Sequence, residues 1–446
     1  MKDDTRQILR LAVPATIENI LQALVGFIDT LMIAQLGLFA VTGVGLGNNI
    51  LAVYLAVFLA LGIASSSLIT RKLGANDEPA AKTYAAHALM FAVVTGFLLA
   101  VLSLIFGRSM LSAMGAKDEV MAAASTYFLV VGAGSIFQSL LVVSGSIVRA
   151  TGDTKTPMIV NTAVNFINIG VDYILIFGLG PIPALGVLGT AIGTVVARVI
   201  GFIWMLRVIQ KSTLALRQAD FRWQRSGQVI TLSVPAALER LVMRLGQVLY
   251  YSLIVSIGVT TYASHVIAGN IESFVYMPGY GLATAASILA GRAYGSGRPD
   301  KAREIGVRSV KIGLLIMGAG GVLLFFGSPL FAKIFTDDPV AIGKVVTALR
   351  IDAFVQIPLA IGLILTGALQ GIGDMKTPLF STIIGMWGVR VIGVFLLGKQ
   401  LGLDIAGIWL SILIDNAIRA VVLSIRFKRL TALAPQGDSL TKRTLN

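Results

Sequence analysis

The chain has no cysteine and only two histidines, His87 and His265, in 446 residues. Disulfides, thiolate metal sites and iron–sulfur clusters are therefore excluded, and haem pairs or zinc triads lack the ligands to form. Charged side chains make up 13% of the sequence, against about 25% in a soluble domain. So little charge cannot clothe a water-facing surface. Soluble enzymes, secreted disulfide scaffolds and disordered regulators are excluded, and an integral membrane protein remains. No Gly-x-x-x-x-Gly-Lys-Ser/Thr string occurs, so ATP is not expected to drive the protein. Lys2, Arg6 and Arg10 precede a first apolar segment far longer than a signal-peptide core, and no cleavable signal is expected.

What the chain has in abundance is apolar sequence, 56% of all residues. Apolar runs long enough to span a bilayer recur at about 11–36, 41–70, 84–106, 120–148, 157–178, 186–206, 229–257, 261–290, 309–328, 340–369, 378–398 and 404–425. These twelve runs are too long and too uniformly apolar for the alternating strands of a membrane β-barrel, so they are read as helices. With the N-terminus placed inside, 25 of the 36 Lys and Arg fall in inside segments, five fall in outside loops, and six lie within or at the ends of spans. This bias predicts a multi-pass protein of the plasma or inner membrane with both termini cytoplasmic. It also accounts for most of the +14 net charge through loops near anionic lipid, without nucleic acid as a partner.

The sequence repeats itself. Leu-Ala-Val-Pro14-Ala-x-x-Glu18 recurs as Leu-Ser-Val-Pro235-Ala-x-x-Glu239, Arg71-Lys-Leu-Gly74 as Arg292-Ala-Tyr-Gly295, and Gly152-Asp153-Thr-Lys155-Thr-Pro157 as Gly373-Asp374-Met-Lys376-Thr-Pro378, each at an offset of 221 residues. A constant offset at three separate places implies duplication. The expected fold class is an all-α membrane protein, with twelve transmembrane helices in two six-helix bundles related by a pseudo-two-fold axis along the membrane normal. The expected domains are an N-terminal lobe at 1–206, a cytoplasmic connector at 207–228, and a C-terminal lobe with a basic tail at 229–446. The Gly-Asp-x-Lys-Thr-Pro loops are read as turns that set the entry to spans 5 and 11.

Seven acids fall inside spans: Glu18, Asp29, Asp172, Glu239, Glu272, Asp352 and Asp415. An ionised carboxylate at a helix centre costs about 2.5–3.5 kcal/mol, so each must be paired, wet or protonated. Glu18 and Glu239 are repeat mates and are read as a structural or gating pair that closes the cytoplasmic side. Asp29 and Asp172 are not duplicated, because their mates are Tyr250 and Gly393. A duplicated scaffold specialises at its working site. On span 1, Glu18, Gln22 and Asp29 form one polar stripe, and on span 5 so do Asn161, Asn165, Asn168 and Asp172. Both stripes should face the interior of the first bundle, with the two acids at similar depth. Burial and mutual repulsion penalise their charged forms, which suits them to take up protons. In the second half, Glu272 and Asp352 have Arg240, Arg244 and Arg350 as possible ion-pair partners, and Asp415 is expected to pair with Arg419 at i, i+4.

Pro14 to Gly37, with Phe27-Ile28-Asp29-Thr30 inside it, resembles the first helix of the multidrug and toxic compound extrusion family. The two Gly-Asp-x-Lys-Thr-Pro loops and the Arg-x-x-Gly loops after spans 2 and 8 resemble that family too, and the similarity covers essentially the whole chain. Within it, the chain is similar to the DinF-like prokaryotic branch. That resemblance implies cation-binding acids at Asp29 and Asp172 and a polar network of Gln22, Asn168 and Thr190. The NorM-like branch instead uses acids that fall here on Met243 and Leu359.

The function expected is a cation-coupled antiporter, with H⁺ the first choice. It would export lipophilic or cationic compounds by alternating access, coupled through protonation of Asp29 and Asp172 and tuned by Gln22, Asn165, Asn168 and Thr190. No cofactor is expected beyond the coupling ion, and no metal site beyond Na⁺ at Asp29 and Asp172. Its partners would be small-molecule substrates and membrane lipid, and it would act as a monomer. Na⁺ coupling, or a lipid-linked glycan flippase of the same superfamily, stays open as an alternative. An intramembrane aspartyl protease is disfavoured by the parallel duplicated architecture, so the chain is not read as an enzyme.

Overall fold

The structure, a computed structural model, describes residues 2–216 and 227–432. The middle of the expected connector, 217–226, and the basic tail beyond 432 lie outside the described residues. The chain forms α1 (Lys2–Ala34), α2 (Leu38–Gly74), α3 (Glu78–Ala113), α4 (Asp118–Ala133), α5 (Ser135–Ala150), α6 (Lys155–Phe177), α7 (Val187–Gln210), α8 (Gly227–Ile257), α9 (Val259–Gly295), α10 (Pro299–Phe335), α11 (Pro339–Ile372), α12 (Lys376–Thr382) and α13 (Asp404–Ala432). After α12 the same span continues as π-helix through Ile383–Val391 and Val394–Gln400.

Among the described residues, nine helices are long and apolar enough to cross a bilayer, or ten if α4 and α5 are one span. That pair is the fourth expected span, bent by 52° at Gly134, where a Cβ would lie 2.7 Å from Val195 on α7. A Gly-Ser pair, here Gly134-Ser135, is a recognised cause of such a kink. The remaining two expected spans are α8 and α9, 31 and 37 residues long. They are more polar because they carry Glu239, Arg240 and Arg244, and His265, Asn270 and Glu272. The twelve spans thus form an all-helical, two-bundle membrane fold. On α3 the side chains of Phe97, Leu98, Leu104, Ile105 and Phe106 are all exposed, as large apolar residues of a membrane-spanning helix are.

Contacts divide the chain into two compact units, one of residues 17–69 and 78–241, the other of 1–16, 70–77 and from 242 onward. In the first, one core gathers Ile50, Tyr54, Phe58, Leu111 and Phe128, and another Ile33, Val44, Tyr127, Val131 and Ala191. Glu18 accepts hydrogen bonds from Arg149 Nη2 at 2.5 Å and Asn161 Nδ2 at 2.6 Å, so it ties α1 to α5 and α6. The loop before α6 turns on Gly152, whose φ of +87° suits glycine. Asp153 then accepts from the Thr156 backbone N–H at 2.9 Å and from its hydroxyl, which closes the first turn.

In the second unit Asp374 does the same for Thr377, at 3.0 Å and 2.7 Å, after Gly373 at φ +97°. Here α2 ends against α9 at repeat-related glycines. A Cβ at Gly74 would stand 2.1 Å from the Arg292 carbonyl, and one at Gly295 would stand 2.0 Å from that of Arg71. Asp415 is fully buried and pairs with both Arg419 Nε at 2.5 Å and Arg390 Nη2 at 2.8 Å. The expected bases for Glu272 and Asp352 are not their partners among the described residues. Arg350 lies over the Phe325 ring, Arg244 donates to Gln247, and Asp352 accepts from Gln356 one turn along its own helix. Helix phase explains the miss: residues 350 and 352 point to nearly opposite sides of α11.

Candidate ion-coupling site

Asp29 lies five residues before the end of α1, and Asp172 five before the end of α6. Thr190 lies three residues into α7, which runs back from that side. The three positions therefore share a depth. The α6–α7 turn is closed by hydrogen bonds from Leu185 and Gly186 to the carbonyls of Leu175 and Ile176.

A row of small residues then lets α7 press on α6. Gly189, Gly193, Ala197 and Gly201 recur every four residues, the spacing that brings membrane helices into backbone contact. A Cβ on Gly189 would lie 2.5 Å from the Leu175 carbonyl, and one on Gly201 2.6 Å from Val164. At Gly193 it would stand 1.8 Å from Asp172 Oδ1. The Asp172 carboxyl is thus clamped directly against the α7 backbone.

Asp172 is buried and Asp29 half-buried, and the Asp29 charge acts on Asp172. Asn168 lies beside the Asp172 carboxyl, yet among the described residues four buried polar atoms here make no close hydrogen bond: Asp29 Oδ1, Asp172 Oδ1, Asn168 Nδ2 and Thr190 Oγ1. An unsatisfied buried polar group costs about 1–3 kcal/mol, and four on neighbouring turns call for an explanation beyond packing. Carboxyl and hydroxyl oxygens are hard donors suited to a proton, a water or Na⁺, and the Asn168 amide nitrogen can donate to a carboxylate. Neither acid forms an ion pair with an arginine or lysine among the described residues.

Not every expected residue joins them. Gln22 is exposed on α1, Asn165 is half-buried on α6, and neither has a hydrogen-bond partner among the described residues. Glu18 is engaged at the other end of the unit by Arg149 and Asn161. Glu239 is half-buried on α8. Two residues escaped sequence reasoning. Tyr127 on α4 donates to Asn48 Oδ1 at 3.0 Å, and its buried hydroxyl lies in the fields of Asp29, Asp172 and Arg198. Arg198 itself counted only as one of six basic residues left over from the loop tally. Its position in the middle of an apolar run was the signal.

The MatE family matches residues 14–174 and 235–396, which is most of both halves and reproduces the 221-residue offset at its start. This chain belongs to the MatE family. Among similar proteins, "Probable multidrug resistance protein NorM" of Thermotoga maritima is 30% identical over 421 residues, covering 94% of this chain and 90% of that one. The solved structure of a multidrug resistance MATE family transporter of the MOP superfamily, in an outward-facing conformation, superposes with a TM-score of 0.89 at 26% identity over 96% of each chain. A MOP superfamily transporter from Pyrococcus furiosus superposes with a TM-score of 0.88 at 26% identity, again over 96% of each chain. As a MatE protein the chain is a membrane transporter, not an enzyme.

Proposed function

We propose that this MatE transporter is an antiporter of the plasma or inner membrane that exports lipophilic, often cationic compounds against an inward flow of H⁺. Multidrug efflux is what the similar proteins are named for. Both termini lie in the cytoplasm, as the loop charges require, and the transporter works as a monomer among lipid, without nucleic acid. The single observation that supports the coupling role is the group of buried polar atoms on Asp29, Asp172, Asn168 and Thr190 that make no close hydrogen bond among the described residues.

With the site open outward, protons load onto the Asp29 and Asp172 carboxyls. Loading removes their repulsion and their attraction for a cationic compound, which leaves. The protonated lobe then reverts to the inward-open state, gives its protons to the cytoplasm and regains affinity for substrate. When a carboxyl is protonated, its O–H can donate to Thr190 Oγ1 while Asn168 Nδ2 donates to the unprotonated oxygen, with Gln22 and Asn165 further along the same helices. Glu18, held by Arg149, keeps the cytoplasmic ends of α1 and α5 together, and Glu239 has the equivalent place on α8.

Na⁺ is the second reading, and it rests on the same oxygens, which would ligate it directly. The test is ethidium efflux from proteoliposomes under separately imposed H⁺ and Na⁺ gradients, with Asp29→Asn beside the wild type. Proton-driven efflux is expected, and Asp29→Asn should abolish it. Undiminished efflux in Asp29→Asn would remove the coupling role, and efflux driven by the Na⁺ gradient alone would transfer it to sodium.

A further inference from the structure

Arg198 has no part in the scheme above, yet it stands where a charge is hardest to place. It is the twelfth of the 24 residues of α7, about 17 Å from either helix end and so near the middle of a hydrocarbon layer about 30 Å thick. Its guanidinium cannot reach a headgroup from there. Nor does it form an ion pair among the described residues. A guanidinium does not give up its proton in proteins, so the lobe carries one fixed positive charge. Such a charge inside a membrane helix has to be answered from within the protein.

Tyr127 is the group that acts on Arg198 directly, and the other polar groups of the lobe around it can be named element by element. From α4 comes Tyr127, whose hydroxyl feels Arg198, Asp172 and Asp29 together. From α6 comes Asp172, which meets α7 at Gly193, about 7.5 Å nearer the outer end than Arg198. From α1 comes Asp29, whose field meets that of Arg198 at the Tyr127 hydroxyl. From α5 comes Gln138, one turn past the Gly134–Val195 contact, with its buried Oε1 unpartnered among the described residues. The other charge on α5, Arg149, is cancelled by Glu18. The remaining bases of α7, Arg207 and the adjoining Lys211, lie at its cytoplasmic end. At the depth of the spans the described part of the lobe thus holds two carboxyls and one guanidinium free of ion pairs, while Arg108, Lys117, Asp118 and Glu119 lie at its outer end, where α3 gives way to α4.

We infer that Arg198 is a fixed counter-charge that turns protonation of the Asp29–Asp172 pair into a reversal of the lobe's charge. The inference rests on reading those acids as the coupling pair. With both carboxylates ionised the three groups sum to −1, and a cation is attracted. One proton brings the sum to zero. A second brings it to +1, and the lobe repels the cation it held. Without Arg198 the same two protons would carry the lobe only from −2 to zero, and a lipophilic cation would stay on through its apolar contacts. Release is therefore driven by repulsion. The device acts on charge alone, so it selects cations for ejection and leaves neutral compounds unaffected.

The test measures binding in nanodiscs by fluorescence at pH 5.5 and pH 8, using ethidium as the cation and Nile red as a neutral dye. Arg198→Gln should tighten ethidium binding at pH 5.5 by about 30-fold, the size expected of two like charges about 8 Å apart at an effective dielectric of about 20. Nile red binding should not change, and Arg198→Lys should restore the wild-type values. At saturating ethidium, turnover should fall in Arg198→Gln as release slows. An unchanged ethidium Kd at pH 5.5, or an equal shift for Nile red, overturns the inference.

A second variant keeps the question answerable if Arg198→Gln does not fold. Asp29→Asn/Asp172→Asn mimics the fully protonated lobe with Arg198 in place. It should bind ethidium weakly at both pH values and bind the anionic dye fluorescein better than the wild type does at pH 8. No gain for fluorescein overturns the counter-charge. The two readings fail separately. Ethidium binding that ignores pH in the wild type and is unchanged by the double Asn variant removes the coupling pair. A response to the acids with none to Arg198 removes only the counter-charge.

Discussion

Gly193→Ala places one methyl group where the coupling carboxyl sits. The new Cβ would stand 1.8 Å from Asp172 Oδ1, 3.1 Å from its Cγ and 3.3 Å from its backbone nitrogen. Non-bonded heavy atoms are comfortable at about 3.5 Å, so the oxygen must retreat by more than 1 Å or α7 must lift from α6. Lifting would also open the tight contacts at Gly189 and Gly201, so rotation of the carboxyl is the cheaper response. Overpacking costs about 1–3 kcal/mol, and Gly to Ala within a helix returns up to about 1 kcal/mol. The expected stability loss is therefore about 0–2 kcal/mol. A reactive group misplaced by about 1 Å costs on the order of 100-fold in rate. Proton-driven ethidium efflux should collapse while the detergent-solubilised protein still unfolds cooperatively within a few degrees of the wild type. Gly170→Ala is the control. It lies two residues before Asp172 on α6, its added Cβ meets nothing within 4 Å, and it should transport normally. Because Gly193→Ala acts through Asp172, adding it to Asp172→Asn should cost little more than Asp172→Asn alone. Wild-type efflux by Gly193→Ala would refute the claim that the Asp172 carboxyl works from its position against α7.

Two further outcomes follow from the same structure. Glu18→Ala leaves Arg149 and Asn161 without their shared acceptor in a site where both partners of the ion pair are largely buried. Breaking such a pair costs about 3–5 kcal/mol, so thermal unfolding should move down markedly, and a Glu18→Arg/Arg149→Glu exchange should recover part of the loss. Asp153→Ala removes the closure of the first turn of α6, worth about 1 kcal/mol. Asp374→Ala removes the same closure and also the contact with Arg426 Nε at 2.8 Å. Denaturation midpoints should therefore fall further for Asp374→Ala than for Asp153→Ala, and equal losses would show that Arg426 contributes nothing there.

The spans, the duplication and the two acids were legible in the linear chain. A bilayer demands apolar runs of a set length, so hydrophobicity alone marks them. The repeat then works as an internal control. Glu18 and Glu239 match, whereas Asp29 and Asp172 face Tyr250 and Gly393 in the other copy. The Gly-Asp-x-Lys-Thr-Pro turns were readable for a similar reason, because Asp153 and Thr156 satisfy each other within four residues. Membership of the network was less readable. Helix periodicity put Gln22 on the Asp29 stripe, but Gln22 is exposed, because a stripe about as wide as one helix face does not say how far a neighbouring helix extends over it.

Composition, periodicity and self-similarity thus determined that this chain crosses a membrane twelve times in two related halves, and that its first half keeps acids its second half lacks. Those properties are local, since each residue's preference for lipid or water is decided one position at a time. Only the tertiary structure decided that Gly193 clamps Asp172, that Arg149 answers Glu18, and that Arg198 shares a lobe with both acids. Each of these joins residues on different helices. A methyl-sized gap or a fixed charge gains its meaning from what the fold brings up against it.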